Sequence, residues 1–386
     1  MHPDYRDYFQ RLEQLVALPS ISCTQPELDM GNLKVIQRLA EWLEPLGFHC
    51  EILPLQDQPQ KANLIATYGS GPGGLVLSGH ADTVPCNIDR WQQDPFSLTE
   101  RDNKLYGLGA TDMKGFFPVV IAAVEPLLDQ NFKQPLIILA TADEETSMSG
   151  ARALAELGRP KARCAVIGEP TGLKPIRMHK GIMMEAVRVQ GLAGHSSNPA
   201  LGNNALETMY KVMAELINYR GQLQARYQNP GFEVTVPTLN LGCIHGGDNP
   251  NRICGSCELH FDLRSLPGMD NEELHQQLQQ LLQPIAAQSG SDIILSSLFT
   301  GVSAFEQNAD SELIQVCEKL TGHSADAVAF ATEAPFLQQL GMQTVVLGPG
   351  SIDQAHQPNE FIALDQIKPA IDIVRGLIQR FCLTAT

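Results

Sequence analysis

The chain has no apolar run approaching the roughly 18 residues that a membrane span requires. Its opening stretch, MHPDYRDYFQRLEQLVALPS, lacks the basic start and apolar core of a secretory signal. Both absences lead to the expectation of a cytosolic protein. Positive charge is scarce: 27 Lys and Arg stand against 43 Asp and Glu, for a formal net charge of −16. That balance disfavours nucleic acid and anionic membranes as partners, and an anionic substrate would need Arg or Lys placed locally. The nine cysteines are odd in number and scattered, so they read as free thiols or small buried hydrophobes rather than a disulfide framework. Cys254-Gly-Ser-Cys257 has no second CxxC at zinc-ribbon spacing. YGLGATDMKG lacks the G-x-G-x-x-G spacing of a dinucleotide site, and GHSSNP is not the G-x-S-x-G elbow of a serine hydrolase. There is no internal repeat and no low-complexity segment.

What is present suits two domains, because 386 residues exceed the size at which one core usually stops growing. Helical spacing of apolar residues marks Tyr5 to Ala17 and the run through Leu33, Ile36, Leu39 and Leu43, with Gly47 as a stop. Short apolar runs (NLIAT, GLVLSG, LIILATA, CAVIGEP) alternate with helical stretches and predict an α/β sheet buried on both faces. After about Lys180 the texture changes. IMMEAVRVQ, VPTLNLGCIHGG and CELHFDLR alternate like strands of an antiparallel sheet with one covered face, and two helices lie among them. From about Asp292 the α/β texture returns. The expectation is a domain at 181–291 inserted into one formed by 1–180 and 292–386.

Chemistry-bearing residues collect where the predicted strands end. GLVLSG runs into His80 and Asp82. Asp112 sits among glycines just before a helix. LIILATA leads to Asp143, Glu144 and Glu145, and CAVIGEP contains Glu169. TVVLGPG is followed within a few residues by His356. In open α/β sheets ligands bind outside the carboxyl ends of the strands, so these groups are expected to share one site. Imidazole and carboxylate ligands suit zinc, and a carboxylate shared by two ions suits a hydrolytic two-metal site. Taken singly, each residue has an ordinary explanation. Asp112 could be a helix cap, Glu144 and Glu145 a solvated charge pair, His80 or His356 a satisfied histidine. Their joint placement at strand ends is what favours a metal site.

The motifs SGHADTVP, YGLGATDMKG, TADEET and IGEPT, followed late by QAHQP, resemble the co-catalytic zinc amidohydrolases, a family of aminoacylases, glutamate-releasing carboxypeptidases and desuccinylases. The resemblance covers nearly the whole chain. It implies a zinc aminopeptidase-like catalytic domain with a mixed central sheet, plus an inserted α+β domain, a ferredoxin-like sandwich serving dimerisation and lid closure. By position in the motifs, it implies His80 and Glu169 on one zinc, Glu145 and His356 on the other, and Asp112 bridging. Asp82 would orient His80, and Glu144 would be the general base. In the inserted domain the resemblance implies that His195 of GLAGHSSNP reaches a partner subunit's site in a homodimer, and that Asn251 and Arg264 bind a substrate carboxylate. Glu333 is a candidate partner for a substrate ammonium, or else a helix-start carboxylate. The expected reaction is hydrolysis of an N-acylated amino acid. Rivals are a dipeptidase of the same family, a non-catalytic relative that binds a metabolite or protein, and a nucleotide-dependent oxidoreductase.

Overall fold

The computed structural model describes residues 5–384. In chain order it runs α1 (Arg6–Val16), α2 (Leu33–Leu43), β1 (His49–Leu55), β2 (Gln58–Tyr68), β3 (Leu75–His80), β4 (Thr99–Arg101), β5 (Lys104–Tyr106), α3 (Phe116–Val124), β6 (Leu136–Thr141), α4 (Ser149–Leu157) and β7 (Cys164–Pro170). Next come β8 (Ile176–His179), β9 (Met183–Gln190), α5 (Ala205–Arg226), β10 (Thr238–Gly246), β11 (Ser256–Arg264), α6 (Asn271–Ser289), β12 (Asp292–Ser297) and β13 (Phe305–Glu306). The chain ends with α7 (Glu312–Thr321), β14 (Asp326–Val328), α8 (Ala334–Gln339), β15 (Gln343–Gly348), β16 (Phe361–Ala363) and α9 (Ile367–Ile378). It divides into two units, one of 1–177, 307–326 and 332–386, the other of 178–306 and 327–331.

In the first unit β1, β2, β6, β3, β7 and β15 are neighbours in that order. The β1, β2 and β6 pairings are antiparallel and the β6, β3, β7 and β15 pairings parallel. Every residue of β3, β6 and β7 is buried, as continuous apolar runs in a sheet covered on both faces must be. Helix α3, FFPVVIAAV, is apolar on all sides and correspondingly buried on nearly all of them. The parallel register sets His80 beside Thr141, so the carboxyl ends of the central strands come level. A second, three-stranded sheet, β16-β5-β4, pairs Phe361 with Tyr106.

The second unit follows the order β9-α5-β10-β11-α6-β12, and its sheet order is β10-β11-β9-β12, antiparallel throughout. This is the ferredoxin-like arrangement. Cys257, Leu259, Phe261 and Leu263 alternate into its core against Met209, Val212 and Leu278. The strand opening at Asp292, expected to belong to the first domain, instead pairs with β9 from Asp292↔Gln190 to Ser297↔Glu185. Ile293 and Leu295 pack on the core of the second unit, which carries that unit on to Glu306. No helix among the described residues is long and apolar enough to cross a membrane. All nine cysteines are free, and Cys254 and Cys257 are buried.

Candidate metal centre

The site is built on the strand ends of the first unit. His80, the last residue of β3, is 1 % exposed. Its Nδ1 lies 3.0 Å from the Asp82 carbonyl oxygen and its Nε2 3.0 Å from Asp112 Oδ1. Glu169 Oε1 is 3.9 Å from the same Nε2. The other oxygen of Asp112, Oδ2, faces His356 Nε2 at 3.4 Å, and that Nε2 is 2.9 Å from Glu145 Oε2. One carboxylate is therefore shared between two imidazoles, and each imidazole has a further carboxylate beside it. His80, Asp112 and Glu145 each offer an atom within 4.8 Å of the others, and so do His80, Glu144 and Glu169.

Asp82 does less, and more, than orient His80. Its Oδ1 is 3.7 Å from His80 Nδ1, beyond a direct hydrogen bond; the backbone carbonyl takes that role. The two carboxylate oxygens instead accept the N–H groups of Glu144 and Glu145 at 3.2 and 3.1 Å. Asp82 thus holds the turn that carries both glutamates.

The electrostatics ask for cations. Burial raises the Glu144 carboxyl well above its ordinary value, with His80 opposing and Glu169, Glu145 and Glu333 adding to the rise. Burial, then the charge of Asp112, pushes Glu145 up to about 7, and burial likewise raises Glu169. Burial also works to raise Asp112, but hydrogen bonds from His356 and His80 win and hold it below the carboxylate range. Hydrogen bonds to Asp112 and Glu145 raise His356 to about 10. In effect, protons on imidazoles and carboxylates neutralise a crowd of buried acids that positive ions would otherwise neutralise. Glu145 Oε1 is buried and has no hydrogen-bond partner. Two imidazoles, carboxylates around them and an orphaned carboxylate oxygen fit divalent transition-metal ions.

Two supports of this site escaped the sequence reading. Asp143, at φ 62°, begins the turn; its carboxylate accepts from Lys61 Nζ at 2.6 Å, Ser22 Oγ at 2.6 Å and Ser149 Oγ at 2.9 Å, and also from Ser147. Lys61, 4 % exposed, is paired with Asp29 at 2.9 Å as well. Burial pulls its ammonium down, but the hydrogen bonds to Asp143 and Asp29 outweigh that and raise it. The legible signal was a lysine inside the apolar strand QKANLIAT. Lys61→Met leaves two carboxylates short of a cation, so we expect a loss of about 3 kcal/mol in urea unfolding. A loss below about 1 kcal/mol would show that the network relaxes freely. The second support is Glu360, treated below.

Glu333 is 1 % exposed. Its Oε2 accepts the Thr141 hydroxyl at 2.9 Å, while Oε1 is buried without a partner. Burial raises its carboxyl to about 7. A cavity of about 190 Å³ opens beside His356, with Val84, Asn87, Arg90 and Trp91 among its lining residues.

His195, Asn251 and Arg264 belong to the second unit. His195 is exposed, and its Nδ1 accepts the Ser197 N–H at 3.2 Å with Ser197 Oγ at 2.7 Å. In the neutral ring an accepting Nδ1 leaves the proton on Nε2. Asn251 is exposed, and its carbonyl accepts the Ser196 N–H at 3.1 Å. Arg264 Nε donates to Asp262 Oδ2 at 3.0 Å.

Residues 76–380 match peptidase family M20/M25/M40. The chain is 50 % identical over 368 residues to the acetylornithine deacetylase of Klebsiella pneumoniae (strain 342), across 95 % of this chain and 96 % of that one. Among solved structures, it is similar to the M20 family metallo-carboxypeptidase Sso-CP2 from Sulfolobus solfataricus, with a TM-score of 0.75 at 20 % identity, covering 96 % of this chain and 98 % of that one. It is also similar to the Bacillus subtilis YXEP protein, described as a dinuclear metal binding peptidase, with a TM-score of 0.67 at 15 % identity and 96 % of each chain covered.

Proposed function

Because the chain belongs to peptidase family M20/M25/M40, we propose that it is a metal-dependent amidohydrolase that removes the acetyl group of N2-acetyl-L-ornithine, giving acetate and L-ornithine for arginine biosynthesis in the cytoplasm. The reaction class rests above all on one observation: Asp112 offers one oxygen to His80 and the other to His356. The substrate is supported by the 50 % identity to a deacetylase of that specificity over nearly the full length of both chains.

His80, Glu169 and Asp112 would hold one zinc ion, and Glu145, His356 and Asp112 a second; Co2+ suits the same donors. Such a pair, when bound, lowers the pKa of water and polarises a carbonyl oxygen. Glu144, beside His80 and Glu169, takes the proton of the attacking water and returns it to the departing amine. Asp82 fixes Glu144 through the backbone. Glu333, with its unpartnered oxygen, is the carboxylate available to the side-chain ammonium of the substrate. Arg264 and Asn251 would meet the α-carboxylate, which an acidic protein must otherwise repel.

Homodimer formation is supported by β10, an edge strand of the second unit's sheet, and by apolar side chains left exposed in the same unit: Tyr210 at 73 %, Ile244 at 44 % and Leu206 at 42 %. An open edge and exposed apolar groups invite pairing with a second copy. His195 would then be supplied in trans, its Nε2–H donating to the developing oxyanion. We expect His195→Ala to lower kcat by about 10²–10³-fold with little change in KM. An effect confined to KM would make it a binding residue only.

The deciding experiment is steady-state hydrolysis of N2-acetyl-L-ornithine by metal-reconstituted protein, beside succinyl-diaminopimelate, other acetyl-amino acids and dipeptides, with a metal-free control. Metal-dependent turnover favouring acetylornithine is the expected result. Turnover of other amides only keeps the site and overturns the substrate. No turnover with two bound ions favours a binding protein.

A further inference from the structure

Asp112 can serve two imidazoles only if its side chain is aimed, and it leaves a loop rather than a strand or helix. The segment from Gly107 to Gly115 has no ladder to stiffen it. It is instead gathered around one buried side chain. Glu360, 1 % exposed, accepts the Thr111 N–H at 2.7 Å and the Asp112 N–H at 3.0 Å on Oε1, and the Gly109 N–H at 3.0 Å on Oε2. Its own carbonyl accepts the Gly107 N–H at 3.1 Å. The Thr111 hydroxyl donates to the next carbonyl, that of Phe361, at 2.5 Å. The pairing of Phe361 with Tyr106 brings Glu360 to the root of the loop. Gly109 adopts φ 80°, and a Cβ there would stand 2.8 Å from Thr83 Cγ2, so the loop admits no side chain at this position. From the far end Lys114 Nζ donates to the Leu15 and Leu18 carbonyls at 3.2 and 2.8 Å.

We propose that Glu360 is a positioning residue for the metal centre: by collecting three backbone N–H groups, including that of Asp112 itself, it sets the direction in which the shared carboxylate presents its two oxygens. This rests on the two-metal reading given above. Three backbone N–H groups converge on its two oxygens, so both oxygens are occupied as acceptors. A neutral amide would not serve. Glutamine offers one acceptor oxygen, and its NH2 would meet a backbone donor head-on.

The test compares wild type, Glu360→Gln and Glu360→Asp as full-length protein. Zn2+ affinity is measured by competition with a chromophoric chelator, the ligand-field spectrum is recorded on Co2+-loaded protein, and kcat and KM are measured separately. We expect Glu360→Gln to keep its near-ultraviolet circular dichroism and to bind Zn2+ about 10–100-fold more weakly. Its Co2+ spectrum should change and its kcat fall more than KM rises. Glu360→Asp, which keeps both carboxyl oxygens, should fall between. A folded glutamine variant with wild-type Zn2+ affinity and spectrum overturns the proposal, even if its melting temperature drops, because it would then be a structural residue only. Should the glutamine variant not fold, Glu360→Asp carries the test: its shorter side chain cannot reach all three N–H groups, and wild-type affinity there overturns the proposal. Wild-type protein that takes up fewer than two ions overturns the two-metal reading itself, and this proposal with it.

Discussion

Glu144→Ala is expected to lose turnover by about 10³–10⁴-fold while still binding two metal ions per chain. The size follows from the role, since a positioned acid–base group contributes up to about 10⁴-fold and Glu144 would move a proton twice in each cycle. The environment suits it: its carboxylate lies beside His80 and Glu169, and its backbone N–H is fixed by Asp82. Metal content makes the prediction sharp. Glu144 lies in a possible ligand group with His80 and Glu169, as Asp112 and Glu145 do with His80. If Glu144→Ala loses one ion along with activity, Glu144 is a ligand and the base must be sought elsewhere. If it keeps both ions and full turnover, the base assignment fails. Glu144→Gln, of similar size, separates the loss of charge from the loss of volume.

Loss of the shared carboxylate should be as severe. Asp112→Ala is expected to bind less than one ion per chain and to show no measurable turnover, because each imidazole would lose one of its oxygen neighbours. Chelation of the wild type should match it in activity, and addition of two equivalents of Zn2+ should restore only the wild type. Two further readouts do not depend on turnover. Ions that bind only the folded state at 100 times their dissociation constant stabilise it by about 2.7 kcal/mol, so wild-type melting should rise with metal while that of Asp112→Ala stays flat. His80 and His356 both have raised pKa values in the metal-free protein. Each must lose its proton to become a ligand. Zn2+ binding in weak buffer near neutral pH should therefore release protons. A wild type that binds zinc with neither proton release nor a rise in melting temperature would place the ions somewhere other than this centre.

Much of the architecture was legible in local pattern. Continuous apolar runs read as doubly covered strands, and β3, β6 and β7 are wholly buried. Strict alternation in CELHFDLR read as a half-covered strand, and β11 alternates in burial along its length. The domain boundary was less legible. Residues 292–297 alternate weakly enough to suit either unit, and only pairing with β9 assigns them.

By itself the sequence determined the chemistry of the centre. Histidine and carboxylates placed at or just past the ends of apolar strands are side-chain identities, and parallel strands bring such ends level. The tertiary structure alone decided how those groups divide the work. That Asp112 faces two imidazoles depends on a loop folded back onto Glu360, 248 residues away along the chain. That Asp82 supports the Glu144–Glu145 turn, leaving His80 Nδ1 to its own backbone carbonyl, depends on register between β3 and β6. That Lys61 neutralises Asp143 depends on a contact across 82 residues. Hydrogen bonds and charges act over a few ångströms in space, and no local pattern records which distant residues the fold will bring within that range.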